Sequence, residues 1–283
     1  MNITRFLSCT LLSLLLGAGL CNTKMALASD DASTESTGSS AIRKGKLYLP
    51  SEDVMAELAA GFEAARVSNR LLLVVMGANW CHDSRALASR LYEEPLSAGI
   101  AEHYELLFVD VGYLEKGKDV ITSLGLPVYY ATPTVLIIDP VSGSVINAQN
   151  RHQWAEAATI SMEESVDYFQ QFANVDLTAL RNEGEADADL QALLAEIDAF
   201  EQVQANRLYK AYALLAPMLH AYKEGDKAAF SEDTWDEVRD YRYKVASDVE
   251  ALRVEAHERV AAGEANIQLT FPVYPAFSWE TQQ

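Results

Sequence analysis

The chain has 283 residues and a mass of 31.2 kDa; 49% of the residues are apolar, and 22 basic residues stand against 41 acidic ones, a formal charge of −19. That composition belongs to a globular protein able to bury a core, in one large or two modest domains, and it excludes disorder throughout. So acidic a balance excludes a nucleic-acid partner, because binding phosphates needs clustered Lys and Arg, and three cysteines exclude a disulfide-dense scaffold.

At the N-terminus, Arg5 precedes the apolar run Phe6 to Leu20, and polar Asn22, Thr23 and Lys24 follow. The run is shorter than the ~20 residues of a spanning helix and has the pattern of a secretory signal. Ala26-Leu27-Ala28 offers small residues at both positions a signal peptidase reads, so cleavage is expected before Ser29, with residues 1–28 as signal peptide and a periplasmic or secreted location. The alternative is a lipoprotein anchored to the membrane through acylated Cys21, although Leu20 is bulky where that peptidase takes Gly or Ala. Cleavage after Ala28 also removes Arg5, Lys24, Cys9 and Cys21; the charge becomes −21 and Cys81 is left without a disulfide partner. A lone thiol in an oxidising compartment is unusual. It is either a reactive group or an inert small hydrophobe.

Residues 29–45 open with SDDASTESTGSS, which has nothing larger than Ala to bury, and read as a flexible leader. From Glu52 to Val67, apolar Val54, Met55, Leu58, Ala59, Phe62 and Ala65 recur at three and four, predicting an amphipathic helix capped by Ser51. Leu71 to Met76 is a continuous apolar run, as in a strand buried on both faces, and Gly77 ends it. A helical pattern with Leu87, Ala88 and Leu91 comes next. A second buried strand is predicted at Glu105 to Val111, a short helix at Gly117 to Leu124 and a third strand at Thr134 to Asp139. The turn chemistry of Asp139-Pro140-Val141-Ser142-Gly143 leads to a hairpin partner at Ser144 to Ala148, and a helix at Ser161 to Ala173 closes residues 46–175. The order specifies an α/β fold, a mixed sheet covered by helices.

Residues 176–263 are acidic and helical, with 20 acidic and 10 basic residues between Asp176 and Ala265. Leu190, Leu193, Leu194, Ile197, Phe200, Val203 and Leu208 trace one helical face that continues to Leu219, with Pro217 expected to kink or break it. A second stripe runs from Trp235 to Val260, capped by Thr234 or Ser231, so an all-α helical hairpin is expected, with Trp235 in its core. The charges are read as a solvated face. The tail, residues 264–283, holds aromatic and proline residues from Phe271 to Trp279 that must pack on a domain or a partner.

Chemistry concentrates at Trp80-Cys81-His82-Asp83-Ser84, between a strand and a helix. A helix N-terminus offers Cys81 free N–H groups and the positive end of the dipole, which favour a thiolate nucleophile. Protonated His82 adds to that and Asp83 opposes it. Together with Ala131-Thr132-Pro133-Thr134 some fifty residues later, Phe108 to Gly112 and Gly125-Leu126-Pro127, this segment makes residues 46–175 resemble a thioredoxin-like domain, in particular the secreted bacterial thioredoxin-like proteins that carry Gly-Ala-Asn-Trp-Cys, here Gly77 to Cys81. The resemblance implies a cis bond before Pro133 and a Thr132-Pro133 backbone that pairs with a substrate peptide beside Cys81. Trp80 is expected to shield the thiol and pack on that peptide.

Two departures from the family pattern matter. Ser84 stands where the second cysteine of Cys-x-x-Cys would be, so the mature chain cannot resolve a mixed disulfide by itself. Val75 stands where many thioredoxins keep a buried carboxylate. The expected activity is therefore monothiol: Cys81 exchanges with disulfides in an isomerase-like or client-capture reaction, with the Ser84 hydroxyl hydrogen-bonded to the thiolate. Partners would be cysteine-containing envelope proteins or a small thiol such as glutathione. The competing reading is a non-redox thioredoxin-fold scaffold in a cell-envelope complex. No metal or other cofactor is expected, because His103, His152, His220 and His257 are scattered and nothing completes a tetrahedral set with Cys81 and His82.

Overall fold

The computed structural model describes residues 47–149, 153–182 and 188–281. The predicted signal peptide and leader, with Cys9 and Cys21, lie outside the described residues, as do Arg151 and His152. The described chain forms a thioredoxin-like mixed sheet flanked by helices, followed by a largely helical C-terminal region.

Helix α1 spans Val54–Ser68. Its cap is Asp53, whose carboxylate accepts from the Ala56 N–H at 2.9 Å, and not Ser51 as predicted; the Ser51 hydroxyl bonds Glu57 instead. Strand β1, Leu71–Gly77, is buried throughout because it is central, with β2, Tyr104–Asp110, parallel on one side and β3, Thr134–Ile138, antiparallel on the other. Alternation along β1 divides the core. Leu72, Val74 and Met76 face α1 and the short helix α4, Lys118–Ser123, while Leu71, Leu73 and Val75 face α2, His82–Arg90, and α5, Met162–Ala173. Helix α3, Leu96–His103, is one the sequence did not signal.

Three expectations need correction. Strand β2 is only partly buried, with residues 105–108 and Asp110 half-exposed, whereas the other edge strand, β3, is buried throughout. The predicted strand at 144–148 shrinks to a single bridge between Ile138 and Val145. There the Asn147 side chain replaces ladder bonds, accepting from the Ile137 N–H at 2.7 Å and donating to the Val135 carbonyl at 2.9 Å. Finally, Pro217 does not end its helix. Helix α7 runs through it from Ala188 to Lys223, and buried Leu215, Ala216 and Leu219 hold the last turns against the core.

Helix α5 begins with a capping box between Ser161 and Glu164. The short helix α6, Leu177–Asn182, is pinned by Arg181, which forks onto the Asp139 carboxylate at 2.6 and 2.7 Å. Helix α8, Glu232–Ala261, is capped by Ser231 and packs along α7 as the predicted hairpin. The hairpin shares one continuous hydrophobic core with the α1 face of the sheet. The tail packs on the hairpin: Phe277 is buried beside Tyr241 with the Arg207 guanidinium 4.2 Å above its ring, and Arg207 also binds Glu280 and the Pro275 carbonyl.

Candidate functional site

Cys81 is the N-cap residue of α2, in extended conformation, where the chain leaves β1. Gly77 permits that exit, since a Cβ there would lie 2.7 Å from both the Ser84 hydroxyl and the Tyr48 ring. The Cys81 thiol donates to the Thr132 carbonyl at 3.1 Å, and the Thr132 hydroxyl lies 3.5 Å from the sulfur. The Thr132–Pro133 bond is cis. The fold thus brings two segments fifty residues apart into contact.

The thiol is largely covered. Cys81 is 9% exposed and Thr132 6% exposed. His82 is exposed on the first turn of α2, and Asp83 accepts from the Ala158 N–H at 3.0 Å, which ties the start of α2 to the loop before α5. Ser84 is fully buried, and its hydroxyl has no hydrogen-bond partner among the described residues. The expected bond from Ser84 to the sulfur is therefore absent. The Ser84 carbonyl accepts instead from the Tyr48 hydroxyl at 3.1 Å, and burial pushes the Tyr48 phenol far above its usual range. Val75 is fully buried and supplies no proton acceptor.

Trp80 is held by its indole N–H, which donates to the Gly112 carbonyl at 2.6 Å, and by stacking on Tyr113. Its other neighbours come from the C-terminal helices. The Trp235 ring meets it edge-on at 6.3 Å, and the Lys223 ammonium sits 5.9 Å from the ring centre. Trp235 is accordingly a contact residue toward the site and not simply core. Just before Thr132 in the chain, the Tyr129 carbonyl accepts from the Tyr212 hydroxyl at 2.9 Å, with the two rings stacked, and the Tyr130 hydroxyl donates to Glu201 at 2.8 Å. Buried Glu201 is paired with Arg253 at 2.9 Å.

Sequence reasoning missed Tyr48, Tyr212, Glu201 and Trp235 as site neighbours. A signal existed for one of them: Glu201 lies four residues after Ile197 and four before Ala205, a charge on the apolar stripe. Asn79 is a further positioning residue. Its side chain accepts from the Leu47 and Tyr48 N–H groups and donates to the Tyr48 carbonyl, clipping that segment beside α2.

Residues 53–140, from the α1 cap to just past β3, match the family model described as thioredoxin-like. A structure described as that of a disulphide isomerase from Xylella fastidiosa Temecula1 is similar at 27% identity, with 45% of this chain and 99% of that chain covered and a TM-score of 0.41. No curated protein matches the chain.

Proposed function

We propose that this chain is a thiol–disulfide exchange protein that works with one cysteine. The supporting observation is the contact between the Cys81 thiol, at the start of α2, and the Thr132 carbonyl before cis-Pro133, which puts a nucleophile beside a backbone edge able to align a peptide. The Cys81 thiolate attacks one sulfur of a client disulfide; a Cys81–client S–S bond forms, the client S–S bond breaks, and the departing thiolate takes a proton from water. Release needs a second thiolate, from the client's own cysteine or an external thiol such as glutathione, which attacks the client sulfur and returns Cys81 as thiolate. Ser84 supplies none. Trp80, Thr132 and Pro133 shape the site, and His82 offers a proton or positive charge at its rim.

The Phe6 to Ala28 pattern supports an oxidising envelope compartment, with cysteine-containing envelope proteins as clients and a membrane attachment only through acylated Cys21. A second reading, a non-redox binding module, is favoured by one observation, the 9% exposure of Cys81. The test is incubation of the full chain with glutathione disulfide, followed by intact mass. Exchange gives a glutathionyl adduct that dithiothreitol removes and that Cys81→Ala abolishes. A chain that gains no such adduct while remaining folded is a binding module.

A further inference from the structure

The hairpin holds both shoulders of the site: Trp80, one residue before Cys81, and Tyr129–Tyr130, just before Thr132. A peptide pairing with the Thr132 backbone would have to enter between those shoulders. The hairpin packs into the core on the α1 face of the sheet, but its contacts also carry buried charge. Besides Glu201, they involve Arg242, which is 5% exposed, lies 5.5 Å from the Trp235 ring centre and 5.2 Å from that of Tyr243, and has no carboxylate within ion-pair distance among the described residues. Its Nε has no hydrogen-bond partner among the described residues. Burying a cation without a counter-charge weakens the packing that holds it. The Tyr212 hydroxyl, which grips the Tyr129 carbonyl, lies within reach of that same charge.

We propose that the α7–α8 hairpin is a built-in cap on the Cys81 site, latched through Tyr212 on Tyr129 and Trp235 on Trp80, and that exchange requires it to open. This rests on the exchange reading and adds its regulation. Closing leaves the thiol protected; opening frees Trp80, Thr132 and the sulfur together. Arg242 sets the balance between the two states by weakening the closed one.

The test is the rate of Cys81 alkylation by N-ethylmaleimide in the full chain, against Cys81→Ala as blank. Tyr212→Phe removes one bond to a buried carbonyl and is expected to speed alkylation about five- to tenfold, the factor that corresponds to ~1 kcal/mol. Arg242→Met removes the buried charge and is expected to slow it. Opposite signs from two substitutions in one contact are not the mark of general loosening; equal rates in wild type, Tyr212→Phe and Arg242→Met overturn the cap. Wild-type protein gives a second readout that needs no variant. Below the unfolding midpoint, alkylation should rise with urea along a slope shallower than that of global unfolding, since only the hairpin lifts. A slope equal to the global one also overturns the cap. The exchange reading fails separately, if Tyr212→Phe alkylates faster yet gains no glutathionyl adduct; the cap fails alone if wild type and Tyr212→Phe acquire the adduct equally fast.

Discussion

Replacing Ser84 by Ala tests whether its hydroxyl has any role at the thiol. The side chain is fully buried at the third position of α2, and its oxygen has no hydrogen-bond partner of good geometry among the described residues. A buried hydroxyl left unsatisfied costs about 1–3 kcal/mol. Deleting it leaves a void on the order of 10 Å³, worth ~0.2 kcal/mol at about 24 cal/mol per Å³. Ala is also the better helix former, by a few tenths of a kcal/mol. The sum is a gain of roughly 1–2 kcal/mol, which raises the melting temperature by about 2–4 °C per kcal/mol in a domain of this size. Urea unfolding of the full chain should show a higher midpoint at unchanged slope, and the Cys81 alkylation rate should not move. A Ser84→Ala variant less stable by 1 kcal/mol, or one whose thiol reacts tenfold more slowly, would mean that the hydroxyl serves the sulfur after all, and the reasoning from its isolation would be wrong.

Ser84→Cys should supply the missing second thiol, so that the variant reduces insulin with dithiothreitol as electron donor while wild type does not; a variant that forms the 81–84 disulfide yet leaves insulin intact would point to a closed groove. Asp139 is 2% exposed, and the Arg181 guanidinium holds its carboxyl well below the usual range. With the folded value depressed, the stabilisation is present above the unfolded value of ~4 and is lost as pH falls toward the lower folded one. Asp139→Asn should therefore cost about 2–3 kcal/mol at pH 7, less than the ~3–5 of a fully buried pair because Arg181 is partly exposed. Melts at pH 7 and pH 2.5 should show the gap to wild type narrowing, and a constant gap would exclude the ion pair as its cause. Phe277→Ala should destabilise the hairpin by ~3 kcal/mol, as for other buried aromatic truncations, and a loss under 1 kcal/mol in urea would mean that the tail is not anchored there.

The sheet was readable because its central and far strands are uninterrupted apolar runs, Leu71 to Met76 and Thr134 to Ile138, which need no knowledge of their partners to be recognised. The partial burial of β2 was not, since Leu106, Leu107 and Phe108 are as apolar as residues of the fully covered strands. The stub at Val145 was misread for a similar reason: a side chain, Asn147, makes the bonds that a backbone would make in a strand. At the site, Cys81, Ser84 and cis-Pro133 were legible as residues, and their meeting came from the resemblance. The cover was not legible. Its contacts join positions far apart in sequence, such as Tyr129 with Tyr212 and Trp80 with Trp235, and nothing local marks them. What the sequence did carry was Glu201 four residues after Ile197 and Arg242 four after Val238, charges on core-facing stripes that were counted with the solvated ones.

Those two charges bear on how an almost closed thiol could still exchange. A site open for 1% of the time reacts about a hundredfold more slowly than an open one, a population gap of ~2.7 kcal/mol, because apparent reactivity scales with the competent fraction. For a dithiol catalyst that is a heavy loss, since each turnover must wait for an opening. For a single thiol it is less so. Under the proposed exchange, a Cys81–client bond would meet no neighbouring thiolate at position 84 to cut it, so the adduct would persist until another thiol arrives, and a bound client would itself hold the hairpin away from Trp80 and Thr132. A slow entrance and the absence of an internal exit together favour capture over rapid cycling.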